Sequence, residues 1–130
     1  MPRAYTVATA ALALGVSAKW IDNILSHHQV QGVNQAKQGV ARRLSFESLT
    51  ILAIAILLIQ DLDLPTAKAV AIATELVRSR GTAALTGGVQ IQINIEQTTT
   101  DLLQRLEHAV EIAPLPRRGR PPQKTTGRLD

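Results

Sequence analysis

The stretch "AALALGVSAKWIDNIL", residues 10–25, places two short apolar helical patterns on either side of one glycine. Upstream, apolar residues recur at helical spacing behind Thr6, which is a candidate N-cap. Ser17 begins a second helical pattern, whose apolar positions are Trp20, Ile21, Ile24 and Leu25. Gly15 suits the left-handed backbone of a tight turn. The stretch therefore predicts two closely crossing helices, a helix-turn-helix.

The start of the second helix presents small and polar residues on its outward side. A helix-turn-helix places this side in the major groove of DNA, where such residues approach base edges and phosphates. The candidate DNA-binding residues on this helix are Ser17, Ala18, Lys19, Asp22 and Asn23. The same spacing also fits a simple helical hairpin in an all-helical core, and both interpretations stay open at this point.

The next segment, residues 29–44, has no helical pattern and contains a polar turn from Asn34 to Gly39. This predicts a short two-stranded excursion. Ser45 then caps a third helix that runs to about Gln60, and because that helix is apolar nearly all round we expect it to be central. Pro65 suits the first turn of a fourth helix.

The order of these elements resembles the winged helix-turn-helix of MerR-type regulators. The matching stretches are residues 5–25, 31–58 and 61–76. In that family a wing follows the recognition helix, and an arginine-containing segment leads from it into a Ser/Thr-capped helix. The resemblance covers roughly residues 5–77. It implies that Lys19 lies on the recognition helix, and that Lys37 and Arg42 or Arg43 contact phosphates or the minor groove from the wing.

The chain departs from the MerR pattern in two respects. The typical wing has an aromatic residue after its arginine, whereas this chain has Leu44. The long dimerising coiled coil and the effector-binding cysteines or aromatic pocket are missing, so metal or drug sensing is not implied. Phage excisionases and some antitoxin-like proteins use similar small winged domains and stay open as alternatives.

Residues 81–113 have a different pattern. Branched aliphatic residues from Val89 to Ile95 alternate with amide side chains, which predicts a half-buried strand, and Gly87-Gly88 suit a hairpin turn. A last helix is expected from about Thr99 to Ile112. Its apolar face comprises Leu102, Leu103, Leu106, Ala109 and Val110. The apolar faces of this strand and helix are buried either against their own chain or against a second copy of the chain that extends a shared sheet. We favour self-association as a homodimer, since paired half-sites multiply specificity.

The chain ends in a basic, proline-broken tail, residues 114–130. Its "RGRP" sequence, residues 118–121, resembles the core of an AT-hook. Prolines keep such a strand extended, glycine lets it approach the groove floor, and arginines lie along the narrow A·T-rich minor groove. The candidate DNA-binding residues here are Arg117, Arg118, Gly119, Arg120, Pro121 and Lys124. A generic basic linker is the alternative, and in either case we expect the free tail to be disordered.

Composition and charge limit the class of protein. There is no cysteine, which favours an intracellular protein, and only 2% aromatic residues, so the core must be aliphatic. Net charge is +4, but residues 1–43 and 114–130 are basic and residues 44–113 are acidic, which favours polyanion contact at both ends. The apolar run of residues 49–59 is short of the roughly 20 residues that span a bilayer, so no membrane partner is expected.

No catalytic constellation is recognisable in the sequence. His27 and His28 are adjacent, so their side chains diverge by about 100° on a helix and do not form a metal pair. Asp61 and Asp63 sit at a helix end, and there is no nucleophile motif or glycine-rich phosphate loop. We therefore expect a protein that is not an enzyme and holds neither metal nor cofactor.

The sequence as a whole predicts a mainly α protein with a small β component, localised to the cytoplasm and associated with the nucleoid. Its expected parts are a winged helix-turn-helix domain, a strand–helix self-association element and a disordered basic tail, at residues 1–80, 81–113 and 114–130. The expected function is sequence-specific binding of double-stranded DNA by a transcriptional regulator. The alternative is a protein-interaction module, such as an antitoxin or adaptor, that autoregulates through DNA.

Overall fold

The computed structural model describes residues 4–34 and 42–112. Within these residues the chain forms five α-helices and two short antiparallel strand pairs, which confirms the predicted mainly α fold with a small β component. In chain order the elements are α1 (Val7–Leu14), α2 (Ala18–His27), β1 (Val33–Asn34), β2 (Arg43–Leu44), α3 (Phe46–Leu62), α4 (Thr66–Arg78), β3 (Thr82–Ala84), β4 (Gln90–Gln92) and α5 (Ile95–Ile112).

The first two helices begin and end where the sequence predicts. The Thr6 hydroxyl accepts a hydrogen bond from the backbone N–H of Thr9 (3.1 Å), and the Ser17 hydroxyl accepts one from Trp20 (3.0 Å). Each bond satisfies a backbone donor that a helix start leaves free. Gly15 lies between the helices with φ +72°, the left-handed conformation expected of it. The connection is therefore short and fixed.

Helix α3 is the centre of the fold, as its nearly continuous apolar sequence predicts. Its N-cap Ser45 accepts a hydrogen bond from the backbone N–H of Ser48 (3.1 Å). Ten of its residues are buried, from Ser48 to Leu58. Helices α1, α4 and α5 all pack on it. Burial of this aliphatic surface is the main favourable contribution to folding of a core with so few aromatic rings.

Strands β1 and β2 pair with Val33 opposite Leu44. Tyr5 extends this pairing on the other side of β2, because its backbone N–H and C=O bond the C=O and N–H of Leu44 at 2.8 and 2.9 Å. Leu44 is completely buried. The strand pair is thus attached to the helical core at its base.

The C-terminal part differs from the prediction in its boundaries. The strand predicted to continue to Ile95 stops at Gln92, and α5 begins at Ile95 rather than near Thr99. Asn94 is the physical reason, because its side-chain oxygen accepts the backbone N–H of Gln97 (3.0 Å) and so starts the helix.

Helix α5 packs along α1 of its own chain and also contacts α3. Leu102, Leu106 and Ala109 are buried there. The predicted apolar face is wider than the buried one, because Leu103 and Val110 are exposed. Intrachain packing therefore accounts for one side of α5.

Candidate nucleic-acid interface

Helix α2 and its N-cap expose four of the five candidate DNA-binding residues that the sequence places there. Ser17, Ala18, Lys19 and Asn23 are exposed, and Asp22 is half-buried. The opposite side of the helix is fixed in the core, where its buried residues are Ile21 and Ile24. The predicted outward face is therefore brought together on one rigid element.

Arg42 joins the base of the β1–β2 pair to α2. One guanidinium nitrogen donates to the Asp22 carboxylate at 3.1 Å, and the other donates to the Ser26 hydroxyl at 3.2 Å. The Arg42 side chain is only 22% exposed. Asp22 and Arg42 thus bind each other, so both position the surface instead of extending freely from it.

Arg43 is exposed at the start of β2, where its backbone is paired with Asn34. The remaining predicted contacts lie outside the described residues: Lys37, Arg117, Arg118, Gly119, Arg120, Pro121 and Lys124. Among the described residues, the predicted DNA-binding cations in the region of α2 and β2 are therefore Lys19, Arg42 and Arg43.

The charge of this surface follows from these contacts. The ion pairs among residues 4–34 and 42–112 are Asp22 with Arg42, and Glu75 with Arg78 on α4. Lys19 and Arg43 have no such partner within those ranges, and the negative charge of Asp22 is offset by Arg42. The surface around α2 therefore has a net positive charge, which suits a polyanion.

His27 is the last residue of α2. Its Nδ1–H donates to the backbone carbonyl oxygen of Asn23, one turn earlier, at 2.8 Å. This bond folds the exposed ring of His27 back along the last turn of the helix, and the C-cap residue is the next one, His28, whose backbone N–H donates to the carbonyl oxygen of Ile24.

The described part of the chain contains neither a candidate metal site nor a helix that could span a membrane. No group of three or more His, Cys, Asp or Glu side chains is placed to hold a metal ion. None of the described helices combines the length and apolarity that crossing a membrane requires.

Comparison with known proteins assigns this chain to no family. No protein-family model, no curated protein and no solved structure matches it.

Proposed function

We propose that this chain is a sequence-specific DNA-binding protein that acts as a transcriptional regulator through a winged helix-turn-helix. The observation that carries the proposal is the Arg42 bridge from the base of the strand pair to Asp22 and Ser26 of α2. It fixes the strand pair and the exposed face of α2 relative to each other. A rigid helix with an attached hairpin is the arrangement that such proteins use to read one groove and hold the adjacent backbone.

In this proposal the residues that contact the bases lie in the first half of α2 and at its N-cap. Ser17, Ala18, Lys19 and Asn23 reach base edges and phosphates in the major groove, while Arg43 and Lys37 contact the neighbouring backbone or minor groove. Regulation follows from occupancy of the site, with no catalytic step and no cofactor.

Two further parts complete the proposal. The tail, residues 114–130, binds a flanking A·T-rich minor groove through its "RGRP" sequence, as an AT-hook does. Two copies act together as a homodimer on paired half-sites. Residues 1–80 are the DNA-binding domain and residues 81–113 the self-association element.

The decisive residue is Lys19, and the matched control is Lys68. Both are exposed lysines in the first turn of a helix, but Lys68 lies on α4, which packs on α3 and β3. The full chain first selects its preferred duplex from a random pool. Lys19→Ala is expected to weaken binding to that duplex on the order of tenfold, because a base or phosphate contact is lost. It should also lower the slope of log affinity against log salt by about one.

Lys68→Ala removes the same charge and should leave affinity for the selected duplex nearly unchanged. Fluorescence anisotropy across a salt series measures both quantities. If both variants lose the same amount of DNA affinity, Lys19 contributes only general electrostatic attraction and makes no specific contact. If the full chain shows no binding to any duplex at physiological salt, the proposal is wrong.

A protein-interaction module, such as an antitoxin or adaptor, is the second candidate, and one observation favours it. An open apolar groove of about 780 Å³ lies between the β3–β4 pair and the junction of α3 with α4. Exposed leucine and valine side chains in its lining are Leu62, Leu85 and Val89. Exposed apolar patches often mark partner-binding surfaces. Partner binding by such a module would survive Lys19→Ala unchanged.

A further inference from the structure

The β3–β4 pair has an inner ladder made by its odd-numbered residues. Its flanking hydrogen bonds join the N–H of Leu85 to the C=O of Val89 (2.6 Å) and the N–H of Ile93 to the C=O of Gly81 (2.8 Å). Hydrogen-bonded and non-hydrogen-bonded residue pairs alternate in an antiparallel ladder. The even-numbered residues Gln90 and Gln92 therefore direct their backbone N–H and C=O groups away from β3.

The two edges of this sheet are not equivalent. On the β3 edge, the Ser79 hydroxyl accepts the backbone N–H of Thr82 (3.2 Å) and donates to the C=O of the same residue. On the β4 edge, the outward backbone groups of Gln90 and Gln92 have no hydrogen-bond partner in the part of the chain that the structure describes. Within the described residues, the β3 edge is thus capped at Thr82 although Ala84 stays open, whereas both outward-facing residues of β4 are open.

The open edge, formed by the three-residue strand β4, carries neither a charged side chain nor a proline. Exposed edge strands are usually protected by charged side chains or proline. Residues 81–95 contain no charged residue and no proline, in a chain with 14 basic and 10 acidic side chains. Val89, which adjoins β4, is 55% exposed. A neutral edge with an exposed apolar residue beside it suits the addition of another strand.

We propose that a second copy of this chain occupies the β4 edge, with the two β4 strands antiparallel about a two-fold axis at Ile91. This register pairs Gln90 of each copy with Gln92 of the other. Both residues direct their N–H and C=O groups outward, so each pair exchanges two hydrogen bonds, as an antiparallel ladder requires. No other class of partner is needed to complete this pattern, because the edge is complementary to itself.

The same register covers apolar surface. Gly81, Ala83 and Leu85 lie on the same face of the sheet as Val89, Ile91 and Ile93, because paired residues point to one side and the side alternates along each strand. In the dimer, Val89 lies opposite Ile93 of the second copy, and Ile91 lies opposite Ile91. The result is a four-stranded sheet, which is more stable than an isolated two-stranded pair. This interface gives the homodimer of the proposed function a defined surface.

Cysteine cross-linking tests the register directly, since the chain has no cysteine and each variant carries a single thiol. Residues opposite each other in a non-hydrogen-bonded pair have Cα atoms about 4.5 Å apart. Ile91→Cys is therefore expected to form a disulfide dimer on mild oxidation. Val89→Cys is the control, because the register separates its two copies by four residues along the strands, on the order of 13 Å and beyond disulfide reach.

A second pair of variants tests the hydrogen bonds. Gln92→Pro removes an outward N–H that the intrachain ladder does not use, whereas Gln92→Thr retains it. Sedimentation of the full chain without DNA should show a dimer for the parent and Gln92→Thr, and a monomer for Gln92→Pro. Circular dichroism checks that each variant is folded.

Two outcomes would overturn the proposal. One is a parent chain that stays monomeric across the concentration series. The other is a dimer that persists in Gln92→Pro while Ile91→Cys fails to cross-link, which would move the interface elsewhere. Both measurements are made without DNA, so a failure of the DNA-binding proposal leaves them unaffected.

Discussion

Gly32 is the residue at which the strand pair meets the start of α3. Its φ is +86°, and its carbonyl oxygen accepts the backbone N–H of Ser45 at 3.0 Å. A Cβ atom at this position would overlap the Ser45 hydroxyl, which caps α3. Gly32→Ala is expected to lower the free energy of unfolding by about 2–3 kcal/mol, since left-handed strain and a disturbed cap add. Urea unfolding followed by circular dichroism measures it.

Gly87 provides the control for this prediction. Its φ is +75°, but an added Cβ meets nothing within 4 Å. Gly87→Ala should cost only the left-handed strain, about 1–2 kcal/mol. Equal destabilisation by the two substitutions would mean that the contact with Ser45 is unimportant.

The residues of the candidate site were only partly predictable from the sequence. Helical spacing is local, so the exposure of Ser17 and Lys19 follows from the buried positions of Ile21 and Ile24. The pairing of Asp22 with Arg42 joins residues twenty positions apart across a turn. No local pattern specifies such a contact, so the sequence does not reveal that these two candidate DNA-binding side chains pair with each other.

At the scale of elements, capping signals predicted helix starts better than strand ends. Thr6, Ser17 and Ser45 all cap as expected. Asn94 also caps a helix, but its place in the alternating "VQIQINI" pattern made it look like a polar strand position. Gln97, three residues later, completes a capping-box spacing and is the signal that would have found the start of α5.

Two leucines test whether α5 packs on its own chain. Leu106 is 1% exposed, and Leu103 on the same helix is 45% exposed. Leu106→Ala should destabilise the monomer by about 2–5 kcal/mol through the cavity that it leaves. Leu103→Ala should cost about 0.5 kcal/mol or less. Chemical denaturation at low protein concentration compares them, and a larger effect for Leu103 would place the buried face of α5 elsewhere.

At the scale of the whole molecule, charge is divided between segments of the chain. The region of α2 and β2 carries Lys19, Arg42 and Arg43 against Asp22. Residues 44–113 carry an excess of carboxylates, including Glu47 and Glu96. In the proposed complex with DNA, repulsion from phosphates would keep the acidic segment away from the duplex, so the charge distribution would orient the protein as well as attract it.

Two arginines of the C-terminal tail can distinguish minor-groove recognition of DNA from nonspecific electrostatic attraction. Arg120 lies within "RGRP" and Arg128 lies outside it, and both belong to the part of the chain beyond the described residues. Replacing either by alanine removes one cation, so each should lower the salt slope of duplex binding by a similar amount, about 0.9 if it contacts a phosphate. Only Arg120→Ala should reduce the preference for A·T-rich over G·C-rich duplex. The reason is that only an arginine inserted into the narrow minor groove is attracted by the enhanced negative electrostatic potential there.

Competition binding of the full chain with the two duplexes measures this preference. A tail acting only as a basic linker would instead leave the preference unchanged in both variants.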